Sequence, residues 1–203
     1  MTDLIDTPHG PARAEVAPGS GGGTILLGHG AGGGTTAPDL RAAGKVATEL
    51  GWTVVFVEQP YRVAGRRAPA PAGQLDGAWQ AVTEALRADG VIEQGRRLLT
   101  GGRSSGARVA CRTASEVGAD GVLCLAFPLH PPGRANDPSK SRLPELAAVE
   151  VPVLVVQGES DPFGVPPQAS GREVVLLRGN HSLRSDMPGL RSAVERWMQL
   201  LGG

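Results

Sequence analysis

Six short runs of β-branched and other apolar residues, at 24–27, 53–58, 97–100, 121–126, 151–157 and 173–177, most constrain how this chain folds. Each has strand length and is bounded by turn residues. The runs are continuously hydrophobic rather than alternating, which is the pattern of parallel strands covered on both faces. Helical patterns lie between most of them. Thr36 and Asp39 form a capping-box-like start to an apolar stripe through Leu40, Ala43, Val46, Ala47 and Leu50, which Gly51 stops. Asp76 is placed to cap a helix carrying Trp79, Val82 and Leu86 and ending at Gly90, and another helix is expected over 105–117. The chain closes on Leu190, Val194, Trp197, Met198 and Leu201 at helical spacing. Strand then helix, repeated, predicts an α/β fold with a doubly wound, mostly parallel sheet. The 203 residues are expected to form one domain, 1–203, in which 1–20 make an edge hairpin or a loosely held arm.

Two stretches, 59–75 and 127–142, read as neither strand nor helix, and both follow strand C-termini. Ligands of open parallel sheets bind beyond those ends, so these loops are expected to wall a pocket. Neither is long enough to form a separate cap domain. Lys+Arg and Asp+Glu both number 20, so no global field draws the chain to nucleic acid or to an anionic membrane. Cys111 and Cys124 lack metal-binding or framework spacing and read as buried free thiols of a reducing compartment. No run is long enough to span a bilayer, and the first residues lack the basic start and apolar stretch of a secretory signal. A cytoplasmic protein without membrane partners is expected. Nothing in the sequence speaks to oligomeric state.

Gly102-Arg103-Ser104-Ser105-Gly106 stands between a predicted strand and a predicted helix. The pattern G-x-S-x-G is weak by itself in a chain with 30 glycines, and its position gives it weight. There the serine of a nucleophile elbow sits on a sharp turn, its hydroxyl raised at a helix N-terminus that favours developing negative charge. Such a serine needs a base, and the chain has four histidines: His9, His29, His130 and His181. His9 lies in the N-terminal arm, His29 follows the first predicted strand, and His130 precedes any suitable acid in the Ser, acid, His order. His181 is thus the base. Asp161, leaving the run at 151–157, is the acid that would orient it, with Glu159 as the alternative. His29-Gly30-Ala31-Gly32-Gly33-Gly34 can supply an oxyanion amide near Ala31, complementing that of Ser105, with His29 as a brace for the loop.

The same glycines have a rival reading. Gly28, Gly30 and Gly33 fit G-x-G-x-x-G, and Glu58 ends the next run where a ribose-binding acid could stand. Against dinucleotide binding, the helix start is expected at Thr36, and Ser104, Asp161 and His181 would go unexplained. A P-loop is excluded because Gly34-Thr35 follows Gly33 and no lysine is placed for phosphate.

With these elements in chain order, the sequence resembles α/β-hydrolases over nearly its whole length. The segments GHGAGGG, EQPYRVAGRRAPAP, GGRSSGAR, FPLHPPGR, QGESDPFG and GNHSL resemble a small lid-less branch. That branch includes the testis-expressed hydrolase-like protein and the scaffold subunit of the NSL histone-acetyltransferase complex; dienelactone hydrolases are more distant. The resemblance implies a minimal α/β-hydrolase fold without a cap domain and carries the triad onto Ser104, Asp161 and His181. Ser105-Gly106 stands where members of the branch often have Met-Gly, so a small polar side chain flanks the expected oxyanion site.

The expected activity is hydrolysis of a carboxylic ester or thioester through an acyl-serine, with no metal or cofactor. Arg62, Arg66 and Arg67 on a pocket loop are candidates for binding an anionic part of the substrate, although three clustered arginines more often form a solvated or salt-bridged surface. His130 is either a substrate contact or, preferably, an anchor for its proline-rich loop. A scaffold that kept the fold without turnover is the alternative raised by the resemblance, since fold alone does not establish function.

Overall fold

A computed structural model describes residues 2–202; Met1 and Gly203, the ends of the expected domain, lie outside the described residues. Eight strands form one sheet: β1 (Thr2–Ile5), β2 (Ala12–Ala17), β3 (Thr24–Gly28), β4 (Thr53–Glu58), β5 (Leu98–Arg103), β6 (Gly121–Leu125), β7 (Val153–Gly158) and β8 (Arg172–Leu177). Their order is β1-β2-β4-β3-β5-β6-β7-β8. The run from β4 to β8 is parallel throughout, whereas β1 and β2 form an antiparallel hairpin whose second strand joins β4. This is the doubly wound, mostly parallel architecture.

Among the described residues five α-helices lie between strands, α1 (Pro38–Glu49), α2 (Pro60–Val63), α3 (Ala72–Ala88), α4 (Ser105–Thr113) and α5 (Leu143–Ala147), and α6 (Met187–Gly202) follows the last strand. Alternate residues of each parallel strand feed opposite faces of the sheet. Ile25, Leu27, Val54, Phe56, Leu123 and Leu154 pack with Leu40, Val46, Leu190 and Trp197 of α1 and α6. Leu26, Val55, Val57, Val122 and Val155 pack with Trp79, Val82, Val109 and Ala110 of α3 and α4. Burying each large apolar side chain contributes roughly 1.5–3 kcal/mol, so the two layers together hold the sheet. Gly44 lets α1 lie directly on β4, because a Cβ there would come within 2.4 Å of the Phe56 ring.

Several helix starts differ from the sequence reading. Thr36 does not cap α1: Ala37 is the N-cap, Pro38 occupies the first helical turn, and the Asp39 carboxylate turns to Arg103. Proline at the first helical position presets the helical φ, and the Leu40 amide that a cap would bind is taken by Asp39 Oδ1 at 2.9 Å. Asp76 lies a turn inside α3, whose N-cap is Pro71, and its carboxylate accepts from Arg112 Nε at 2.8 Å and Nη2 at 2.6 Å. The stretch 59–75 contains α2 and the start of α3, which the proline-rich composition concealed. The helix expected to reach residue 117 ends at Thr113, and a turn closed by Gly118 at φ +60° follows.

β8 is an edge strand, and the chain shields it. The Gln168 amide donates to the Val174 carbonyl at 2.8 Å and accepts from the Val174 amide at 2.9 Å, imitating a neighbouring strand. Among the described residues no helix is long and apolar enough to cross a membrane.

Candidate active site

Ser104 sits between the end of β5 and the start of α4, with φ 51° and ψ −107°. A non-glycine residue in that region is strained, and the surrounding backbone imposes it. A Cβ on Gly102 would lie 2.5 Å from the Gly28 carbonyl oxygen, and one on Gly106 2.3 Å from the same atom. The two glycines thus allow β3, β5 and α4 to meet beneath the serine. The Ser104 amide is fixed by the Leu125 carbonyl of β6 at 2.9 Å.

His181, in the loop between β8 and α6, brings Nε2 to 3.0 Å from Ser104 Oγ. Its Nδ1 lies 2.8 Å from Asp161 Oδ2. Asp161 follows β7 and is buried, and its other carboxylate oxygen accepts from the Phe163 amide at 2.9 Å. The Phe163 ring covers the imidazole, 4.3 Å between centroids. Glu159, the alternative acid, is exposed.

The glycine loop after β3 is braced from below. His29 Nε2 accepts from the Gln59 amide at 3.0 Å, which requires an unprotonated Nε2, so Nδ1 carries the proton toward the Gly30 carbonyl at 2.8 Å. Burial is the main cause holding the His29 pKa below its usual value, in keeping with this neutral tautomer. The Tyr61 hydroxyl donates to the Ala31 carbonyl at 2.9 Å, tying α2 to the loop. Tyr61 carries no local motif that would have singled it out. Among the described residues the Ala31 and Ser105 amides are taken by no backbone carbonyl. Beside the loop lies a cleft of about 300 Å³, whose lining includes Gly34, Thr36, Arg103, Ser182 and Arg184.

The remaining candidates lie outside this cluster. Arg62 is on α2, where Nη1 donates to the Arg66 carbonyl at 3.4 Å, while Arg66 and Arg67 are exposed. The His130 amide donates to the Phe163 carbonyl at 3.0 Å, and its ring lies against Gly164 and bonds the Pro131 carbonyl at 3.0 Å. None of its bonds reaches Ser104, Asp161 or His181. Glu58, the ribose-binding candidate, is paired with Arg13 at 2.6 Å, and α1 begins five residues beyond Gly33. Among the described residues no three His, Cys, Asp or Glu side chains cluster as a metal site would need.

A parallel sheet wound on both faces, with a strained serine at the β5–α4 turn and a histidine after the last strand, defines an α/β-hydrolase fold. The chain belongs to the alpha/beta hydrolase domain family, which matches residues 22–187. Solved structures agree with the fold over the full length. A lid-less α/β serine hydrolase from Xanthomonas campestris superposes with a TM-score of 0.74 at 20% identity, covering 99% of this chain and 94% of that one. Est1E from Butyrivibrio proteoclasticus gives 0.76 at 14% identity, covering 98% of each chain. Dienelactone hydrolase from Anabaena variabilis gives 0.69 at 18% identity, covering 100% and 94%. No curated protein matches the sequence.

Proposed function

We propose that this protein is a serine hydrolase that cleaves carboxylic esters or thioesters through an acyl-Ser104 intermediate. The observation that carries the reading is the chain of contacts from Ser104 Oγ to His181 Nε2 at 3.0 Å and from His181 Nδ1 to Asp161 Oδ2 at 2.8 Å. His181 takes the Ser104 proton as Oγ attacks the substrate carbonyl, then gives it to the departing alcohol or thiol. Water, deprotonated by the same nitrogen, then releases the acid and restores Ser104. Asp161 holds the tautomer of His181 and stabilises the imidazolium. The Ala31 and Ser105 amides receive the oxyanion, and one such donor contributes about 3–4 kcal/mol to lowering the barrier.

On this reading His130 anchors the loop behind Asp161, and Arg62, Arg66 and Arg67, the last two exposed, form a solvated cluster beside the site. The reaction needs no metal or cofactor. We place the chain in the lid-less branch that includes the testis-expressed hydrolase-like protein on the strength of the segments quoted above, and in a reducing, cytoplasmic setting on its two buried free thiols. A fluorophosphonate probe tests the activity. Wild-type protein is expected to be labelled at Ser104, by mass spectrometry of the modified peptide, and Ser104→Ala is not. A folded wild-type protein that takes no label at Ser104 sinks the proposal and favours a scaffold without turnover.

A further inference from the structure

Gln157 is the penultimate residue of β7 and is 0% exposed, in a strand whose other side chains are apolar. An amide at such a position is costly unless its polar atoms are bonded. Its Nε2 faces three acceptors: Asp161 Oδ2 at 2.7 Å, the Gly164 carbonyl at 2.9 Å and the Phe127 carbonyl at 3.1 Å. Three acceptors around one atom settle which end of the amide is nitrogen, since an oxygen there would meet only lone pairs. Among the described residues Oε1 has no partner. The side chain therefore sits where its donors are satisfied at the expense of its acceptor, which marks the donors as the reason for an amide at this position.

Asp161 Oδ2 is also the oxygen 2.8 Å from His181 Nδ1. With Oδ1 held by the Phe163 amide, the Gln157 bond completes a three-point fix of the carboxylate. The two N–H groups of Gln157 are shared among the three acceptors, so the contacts with Gly164 and Phe127 also tie the acid loop to the segment leaving β6, whose Ala126 is itself at φ 51°. The groups facing this assembly are few. Arg103 reaches the His181 carbonyl and pairs with Asp39, the His130 ring backs Gly164, and Glu159 on the acid loop points to solvent. None of them contacts Oδ2.

We propose that Gln157 is a positioning residue of the active site, which aims Asp161 Oδ2 at His181 Nδ1 and so holds the imidazole toward Ser104. The inference rests on the hydrolase reading for its effect on turnover, but its geometric core does not. Two variants of similar size, Gln157→Met and Gln157→Leu, remove the donor. In either variant that unfolds cooperatively, ester turnover is expected to fall roughly ten- to a hundredfold, with KM within about threefold of wild type, the scale of one lost charge-assisted hydrogen bond. The hydrogen-bonded Nδ1 proton of His181, read by NMR without substrate, is expected to lose its downfield position. A folded variant that keeps this resonance and turns over at the wild-type rate makes Gln157 a packing residue only. Wild-type protein supplies a second measurement should neither variant fold: phosphonylation of Ser104 removes the Oγ–H beside His181 Nε2, and the Gln157 side-chain amide resonance must then move because it shares Oδ2 with His181 Nδ1. An unmoved amide resonance overturns the proposal. Because the Nδ1 spectrum needs no turnover, failure of Ser104 to label counts against the hydrolase reading and leaves this inference to be decided by the spectrum.

Discussion

Arg103 donates from Nη2 to the main-chain carbonyl of His181 at 2.9 Å, so the residue before Ser104 holds the backbone of His181. The same guanidinium donates from Nε to Asp39 Oδ2 at 2.7 Å, at the first turn of α1. One side chain thereby joins the β5–α4 turn, the start of α1 and the loop before α6. The distance from Ser104 Oγ to His181 Nε2 depends on two loops that are remote in sequence, and Arg103 spans both. Asp39 is buried, its remaining oxygen taken by the Leu40 amide at 2.9 Å, so the pair leaves no acceptor unmet.

Arg103→Met is expected to destabilise the fold by about 2–3 kcal/mol, the cost of an unpaired buried carboxylate reduced because Arg103 is partly exposed. Neutralising the partner as well, in Arg103→Met with Asp39→Asn, should restore most of that stability. Ester turnover should stay low in the double variant, because the His181 carbonyl still lacks its donor. Urea unfolding and turnover measured on the same preparations separate the two effects. If the double variant recovers both, Arg103 acts through stability alone.

The glycines near the site divide into two groups. Gly102→Ala and Gly106→Ala each place a Cβ within 2.5 Å of the Gly28 carbonyl oxygen, a backbone atom that cannot move aside cheaply. Each is expected to cost about 3 kcal/mol or more, at the upper end for overpacking. Nothing lies within 4 Å of a Cβ on Gly32 or Gly33, so Gly32→Ala and Gly33→Ala should change stability by no more than about 0.5 kcal/mol. Thermal unfolding of the four variants checks the contrast. Equal losses in both groups would mean that the close approach of β3, β5 and α4 does not restrict these positions.

What the sequence made legible was what is local or forced by elimination. Continuous apolar runs marked the parallel strands, and with four histidines in the chain, position alone led to His181, whose ring meets Ser104 and Asp161. The helix starts at Pro38 and Ala72 were hidden because acidic residues nearby, Asp39 and Asp76, resemble caps while their partners Arg103 and Arg112 lie far along the chain. An ion pair across 64 or 36 residues leaves no local pattern. Tyr61 was equally unreadable, since its hydroxyl finds Ala31 only after α2 folds against the glycine loop. Gln157 did leave a signal, a lone amide inside an apolar strand, although its contact with Asp161 needs the turn between them.

Cys111 on α4 and Cys124 on β6 bring their sulfurs to 3.5 Å, and both are buried. The hydrogen bond with Cys111, followed by burial, holds the Cys124 thiol well above its usual pKa. The thiolate is the reactive species, so Cys124 should be inert while the fold is intact. Native protein at pH 7.5 is expected to take up no iodoacetamide at Cys124 over hours, whereas protein in urea should be alkylated at both cysteines. Rapid labelling of Cys124 in the native state would show that α4 opens away from β6.

His29 sets a pH dependence of stability. Burial is the largest cause lowering its pKa in the folded protein, and the Gln59 amide at 3.0 Å accepts no proton from Nε2. In the unfolded chain the same imidazole titrates near its ordinary value of about 6.5. Between the lowered folded value and 6.5 the unfolded state binds more protons, so the contribution of His29 is fully present above 6.5 and is lost as pH falls through that window. The loss has a limiting slope of about 1.4 kcal/mol per pH unit for one proton and levels off below the folded pKa. His29→Gln removes the titrating group, at some cost in absolute stability from the altered brace. Urea midpoints measured from pH 8 to pH 5 should therefore fall more steeply for wild type than for His29→Gln, with the difference confined to pH below about 6.5. Parallel curves across the range would mean that His29 protonates in the folded protein as readily as in the unfolded chain, and that the glycine loop tolerates an imidazolium beneath it.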